Sequence, residues 1–180
     1  MKTLETERLI LRAWQESDAT DMFEFAKSPN VGPNAGWKPH DNIDESLEII
    51  KSFISKDDVW AIVDKATLKV IGSLGLHNDD KRSQKIKSKM IGYVLSEDYW
   101  GQGLVTEAVK RVLNFAFGEL DLSVVAVDHY PFNLRSKRVI EKCGFKYEGT
   151  LRQANMIYDG SIYDDVCYSI TKDEWKDLQL

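Results

Sequence analysis

Leu95-Ser96-Glu97-Asp98-Tyr99-Trp100-Gly101-Gln102-Gly103-Leu104-Val105-Thr106-Glu107-Ala108 is the stretch on which the reading of the fold turns. Ahead of it, residues 90–95 are a short apolar run that reads as a strand. Behind it, Val105, Ala108, Val109, Val112, Leu113 and Ala116 recur at the spacing of one buried helical face. The β-branched run at residues 124–127 suits a buried strand beside residues 90–95, with the helix as a parallel crossover between the two. A strand that enters a helix through two glycines lets several backbone N–H groups at the helix start point at one anion. The glycines also allow positive φ angles and close approach of a bulky ligand. Two familiar phosphate loops are excluded. There is no Gly-x-x-x-x-Gly-Lys-Ser/Thr, and Gly101-x-Gly103 lacks the third glycine of a dinucleotide fingerprint, which disfavours nucleotide hydrolysis and hydride transfer.

Working outward, Leu9, Leu11 and Ala13 alternate with Ile10 and Arg12, a period of two that predicts a first strand. Ser17 and Asp18 offer an N-cap to a helix carrying Met22, Phe23, Phe25 and Ala26, and Asp41 or Asn42 offers one to a second helix with Leu47, Ile50, Phe53 and Ile54 on one face. Residues 28–40, with Pro29, Gly32, Pro33, Gly36 and Pro39, are too long and too broken for a simple connector. Residues 59–63 and 70–76 read as a hairpin around Asp64-Lys65-Ala66-Thr67. A short helix after Asn133 ends at Gly144, and closing strands near residues 145–151 and 163–170 flank an Asp159-Gly160 turn. The expected order is β α α β β β α β α β β. It describes an α+β, mixed α/β domain with a mostly antiparallel sheet, one parallel pair and flanking helices, and residues 1–180 are expected to be one domain.

Composition narrows the function classes. The 180 residues are 43% hydrophobic and 29% charged, the profile of a globular chain long enough to bury a core. The first residues are not an apolar run behind a basic start, and no run of about 18 apolar residues occurs, so a soluble cytoplasmic protein without membrane attachment is expected. Cys143 and Cys167 stand apart, which predicts neither a disulfide framework nor a metal site. A net charge of −5 with dispersed cations argues against a nucleic-acid partner; the one basic cluster, residues 81–89, reads as a solvated loop.

The string Tyr-Trp-Gly-Gln-Gly-Leu-Val-Thr-Glu-Ala at residues 99–108 resembles the acetyl-CoA pyrophosphate loop of the GNAT superfamily, in its ribosomal-protein N-acetyltransferase-like branch. Val105 replaces the small residue usual at the last motif position. Downstream, Asn133-Leu134-Arg135-Ser136-Lys137-Arg138-Val139-Ile140-Glu141-Lys142-Cys143-Gly144-Phe145 is similar to the branch's second motif, and Glu-Thr-Glu-Arg-Leu-Ile-Leu-Arg at residues 5–12 also fits. The resemblance implies that the two parallel strands splay apart to admit acetyl-CoA. Val94 and Leu95 would pair with its pantetheine amides, and Gly101, Gln102, Gly103, Val105 and Thr106 would hold its pyrophosphate. Asn133 would bond the pantetheine arm, and Ser136 would lie near the sulfur. Read without the family, Asn133 is an ordinary helix N-cap and Ser136 a first-turn helix residue.

Amine acetylation requires a neutral nitrogen, a polarised thioester carbonyl and a donor for the leaving thiolate. Many members of the superfamily place a tyrosine acid four residues after the Ser136 position; here that residue is Ile140, and Ser136 becomes the candidate donor. Glu97 is the candidate base, with the alternative that it is a solvated helix-start charge. His77 and His129 have suitable intrinsic pKa values but stand at strand ends. His40 and Tyr130 are candidates for the acceptor side, and Cys143 reads as a small buried residue. The acceptor is expected to be a protein N-terminus or a small amine, and a homodimer is compatible with the resemblance. The rival reading is an acyl-CoA-binding regulatory domain without transfer activity, which the absence of tyrosine at Ile140 keeps open.

Overall fold

The computed structural model describes residues 1–178. In chain order its elements are β1 (Leu4–Glu5), β2 (Leu9–Arg12), α1 (Ala19–Ala26), α2 (Ile43–Lys56), β3 (Val59–Asp64), β4 (Val70–Asn78), β5 (Ser88–Leu95), α3 (Leu104–Gly118), β6 (Val124–His129), α4 (Leu134–Lys142), β7 (Lys146–Met156), β8 (Ile162–Thr171) and α5 (Lys172–Asp177). The strands form one eight-stranded sheet in the order β1-β2-β3-β4-β5-β6-β8-β7. Among the described residues only β5 and β6 run parallel; α3 is the crossover between them, as two parallel neighbours require.

Both faces of the sheet are covered, and the strands show why. In β3, Trp60 and Ile62 enter one core while Val59, Ala61 and Val63 enter the other, so an unbroken apolar run is buried on both sides. On the first face Val109, Val112, Leu113, Ala116 and Phe117 of α3 pack over Ile62, Leu74, Ile91 and Val125. On the second, Met22, Phe25 and Ile50 from α1 and α2 pack over Ala61 and Val63. Each such aliphatic or aromatic side chain contributes about 1.5–3 kcal/mol by burial, so α3 anchors the loop at its own N-terminus.

Several local expectations need amendment. Asp18 is not a side-chain cap for α1: it is 6% exposed, and its carboxylate instead takes paired bonds of 2.8 Å from the Arg12 guanidinium and one from the Gln15 N–H. A buried carboxylate needs a cation more than a helix end needs a cap. Asn42, not Asp41, caps α2 by accepting from the Glu45 N–H at 2.9 Å. Two elements lie outside the expected order, the short β1 and the terminal α5. The latter begins with a Thr171/Glu174 capping box, a four-residue signal legible in the sequence.

Candidate functional site

The site forms where β5 and β6 part. Their pairing ends at Met90 opposite Ala126, although β5 continues to Leu95 and β6 to His129. Which backbone groups face the opening follows from the ladder on the other side of β5. The Ser96 N–H bonds the Ile71 carbonyl at 2.7 Å, and the register between β4 and β5 runs unbroken from Gly72↔Leu95 to Asn78↔Lys89. Bonded and non-bonded pairs alternate in an antiparallel ladder, so Val94 spends its N–H and carbonyl on Ser73, while Tyr93 and Leu95 turn theirs toward β6. The Lys87 carbonyl, of the same parity, accepts from the Ser123 N–H just ahead of β6. The expectation that Val94 offers backbone groups to a ligand is therefore corrected. The backbone groups that face the opening are those of Tyr93 and Leu95, and Val94 lines the cavity. The Leu95 carbonyl is already engaged by the Trp100 indole N–H at 2.9 Å, which leaves the Leu95 N–H as its outward group.

Beyond Leu95 the chain makes one turn of 3-10 helix at Glu97–Tyr99 and enters the glycine loop. Gly101 and Gly103 have φ of +78° and +77°, and a Cβ at Gly101 would meet nothing within 4 Å, one at Gly103 only Arg8 at 3.9 Å. Backbone conformation demands glycine here, and the space over it is open to a ligand. The first bond of α3 runs from the Glu107 N–H to the Gly103 carbonyl, so the N–H groups of Leu104, Val105 and Thr106 lie ahead of the helical ladder. Arg8 braces this junction: it pairs with Glu107 at 2.7 Å and donates to the Gln102 carbonyl at 3.0 Å. Burial opposes ionisation of Glu107, but bonds from Thr6 and Arg8 outweigh it and hold its carboxyl below the usual range.

Facing the loop, Arg135, Arg138 and Lys142 line the same cavity from one side of α4, and the Arg135 guanidinium lies 3.9 Å over the Trp100 ring. The cavity, about 560 Å³, extends from these cations past Tyr93, Val94, Leu95 and Ser136 to Asn30 and Asn34 of residues 28–40. Its chemistry is a set of helix-start N–H groups opposite three cations, beside the gap between β5 and β6 where backbone groups of Tyr93 and Leu95 face the opening. Such a shape fits a polyanionic head attached to a long arm bearing amides.

Asn133 serves both ends of its amide. Its Oδ1 accepts from the Ser136 N–H at 3.1 Å and caps α4, and its Nδ2 donates to the Asn34 carbonyl at 3.1 Å. Ser136 faces the cavity with its Oγ 2.9 Å from the Tyr93 Oη. Glu97 is exposed and outside the cavity lining; Ser28 Oγ and Asn30 Nδ2 each donate to its carboxylate at 2.9 Å. Gln102 is also outside the lining, its amide donating to the Asp98 carbonyl. His40 is not brought to the site. It is buried, its Nδ1 lies 2.8 Å from the Ser46 Oγ, and burial lowers its pKa. Tyr130 stacks on Phe132 and tilts against Tyr163 beyond the cavity wall. His77 is held by Asp58, and the His129 Nδ1–H donates to the Tyr130 carbonyl. Burial pushes the Cys143 thiol up to about 12, as an inert core residue requires. The basic stretch 81–89 is largely paired: Lys81 with Asp128 and Asp165, Arg82 with Asp79 and Glu148, Lys87 with Asp121.

Sequence reasoning missed Tyr93, Arg135, Arg138 and Lys142. The three cations stand at i, i+3 and i+7 on a helix that follows the capping Asn133, and that spacing was a usable signal. Tyr93 carried none, because its partner lies 43 residues away.

Residues 8–146 match the family described as Acetyltransferase (GNAT) domain. The uncharacterized N-acetyltransferase YoaA of Bacillus subtilis (strain 168) is 32% identical over 174 residues, which cover 94% of this chain and 96% of its own. Among solved structures, the GNAT-family acetyltransferase from Bacillus anthracis gives a TM-score of 0.86 at 19% identity, over 96% of this chain and 99% of its own. The microcin C7 self immunity acetyltransferase MccE, in complex with acetyl-CoA and AMP, gives 0.79 at 21% identity, over 92% of this chain and 93% of its own. Both structural likenesses concern the fold.

Proposed function

The chain belongs to the GNAT acetyltransferase family, and from that premise we propose that it moves an acetyl group from acetyl-CoA to a primary amine by direct transfer within a ternary complex. The observation that carries this reading is the parting of β5 from β6 beside a glycine loop that faces Arg135, Arg138 and Lys142. The residues fit the donor. Open space over Gly101 and Gly103, unladdered N–H groups at Leu104 to Thr106, and three cations suit its pyrophosphate. The groups of Tyr93 and Leu95 turned toward β6 suit the pantetheine amides as an added strand would.

Acetyl-CoA supplies an acyl group activated as a thioester; the chain orients it and manages charge. The Leu95 N–H is the donor available to polarise the thioester carbonyl, and the Ser136 hydroxyl the one available to the departing sulfur. Asn133 sets the position of Ser136 through the cap of α4. Glu97 receives the proton of the amine through water, its carboxylate steadied by Ser28 and Asn30. The acceptor enters at the end of the cavity lined by Asn30, Val31, Asn34 and Ala35 of residues 28–40. It is a protein N-terminus or a small amine of the polyamine or amino-acid type. Residues 1–180 work as one domain, in the cytoplasm. A thiol-release assay with acetyl-CoA against N-terminal peptides, polyamines and amino-acid amines is the test. Turnover with one class is the expected result, and inertness toward all of them despite cofactor binding would favour the regulatory reading.

A further inference from the structure

Two hydroxyls, one from β5 and one from α4, meet in the lining of the cavity. The Tyr93 Oη, on β5, lies 2.9 Å from the Ser136 Oγ and 3.3 Å from the Ser136 carbonyl, on α4. Both residues line the cavity. Ile140, one turn beyond Ser136, is 1% exposed and offers no polar group. A helical serine can instead spend its hydrogen on a nearby backbone carbonyl, and in that rotamer it donates nothing to a ligand.

We propose that Tyr93 is a positioning residue that donates its hydroxyl hydrogen to the Ser136 Oγ and so leaves the serine hydrogen free to turn into the slot toward the departing thiolate. The proposal rests on the reading of Ser136 as the thiolate donor. Burial pushes the Tyr93 phenol well above its usual range, so it keeps its one hydrogen to give, and the shorter of its two contacts is the 2.9 Å one to the Ser136 Oγ rather than the 3.3 Å one to the Ser136 carbonyl. As the carbon–nitrogen bond forms and the carbon–sulfur bond breaks, the electron pair leaves on sulfur. The serine hydrogen bond strengthens onto it, and the phenol donates to the serine oxygen from behind. Neither hydroxyl loses its proton; the amine proton passes through water to Glu97 and on to solvent, from which the departed thiolate is reprotonated. Linked hydroxyls polarise each other, which offsets the weakness of a lone serine as a donor.

The test pairs single-turnover acetyl transfer with binding. Ser136→Ala is expected to slow transfer about 10- to 1000-fold, and Tyr93→Phe about 5- to 50-fold, while the Kd for acetyl-CoA stays within about two-fold. In the Ser136→Ala background, Tyr93→Phe is expected to cost nothing further. Ser136→Thr, which keeps an oxygen for Tyr93 to hold, is expected to retain most of the rate. A readout independent of turnover is the preference for coenzyme A over its desulfo analogue. Between pH 7 and 9.5 that preference grows about five-fold in the parent as the thiol ionises, and both single variants lose the growth. Unimpaired transfer in Tyr93→Phe beside an impaired Ser136→Ala overturns the role of Tyr93 and leaves that of Ser136 standing. Multiplying losses in the double variant, or a Tyr93→Phe defect confined to Kd and melting temperature, overturn it as well. Full activity in Ser136→Ala removes both roles together.

Discussion

The two walls of the cavity are held in different ways. The wall formed by residues 100–106 and α4 is fixed by backbone: two glycines at positive φ, the start of a helix buried along its length, and an asparagine cap. The opposite wall, residues 28–40, is held by side chains that reach far along the chain. Ser28 and Asn30 bond Glu97 and the Asn34 carbonyl takes the Asn133 amide, with a backbone bond from the Tyr158 N–H to the Gly36 carbonyl beside them. At Gly36 a Cβ would sit 2.5 Å from the Tyr130 hydroxyl. The first wall presents a fixed pattern of donors to a ligand that does not vary. The second can be recut by a few side-chain changes without disturbing the first.

The contrast breaks most visibly if the backbone wall tolerates a side chain. Gly103→Leu puts a branched residue at positive φ and into the space through which an anion reaches the helix start. The Kd for acetyl-CoA is expected to rise about 100-fold or more by calorimetry, with the melting temperature lowered by about 2–8 °C, as about 1–2 kcal/mol of strain at that φ requires. Unchanged affinity would remove the loop as the binding site. Asn133 tests whether the walls are separable, because it belongs to both. Asn133→Ala loses the cap and the bond to Asn34, and is expected to weaken acetyl-CoA binding about 5- to 20-fold with a smaller change in the single-turnover rate. Asn133→Ser keeps a capping oxygen but cannot reach Asn34, so it should recover most of the donor affinity while the acceptor KM stays raised. Recovery of both together would mean that the walls act as one unit.

The same contrast explains what the sequence disclosed. Positive φ at Gly101 and Gly103, the helical period of residues 105–116 and the cap at Asn133 are local, and each was readable within a few residues. The alternation of ladder bonds that gives the opening to Tyr93 and Leu95 rather than Val94 depends on pairing with a strand some twenty residues earlier, and one step of register reverses it. The burial of His40 against Ser46 and the meeting of Tyr93 with Ser136 are likewise products of packing. His40 was read as an acceptor-side candidate from its place in the irregular segment 28–40, whereas packing turns it onto Ser46 and outside the cavity lining. The strand β1 is too short for period-two alternation to register, and α5 was signalled only by its capping box.

The smallest expected effect concerns the brace between Arg8 and Glu107, which ties the N-terminal strand to the loop wall. If backbone conformation alone fixes that wall, removing the brace should cost a little stability and almost no affinity. Glu107→Gln is expected to lower stability at pH 7 by about 1 kcal/mol or less, the range for a largely solvent-screened pair, with acetyl-CoA affinity within about two-fold of the parent. The pH dependence gives the sign. The Glu107 carboxyl is held below its ordinary value in the folded chain, so its contribution is fully present above the unfolded pKa, about 4.3, and fades as pH falls through the lower folded value. Parent and variant should therefore differ in denaturant midpoint at pH 7 and converge in the acid range. A gap that persists unchanged below pH 3 would mean that the glutamate acts through shape and not charge. A large loss of acetyl-CoA affinity would mean that the loop needs its side-chain brace after all, and the distinction between the two walls would shrink to one of degree.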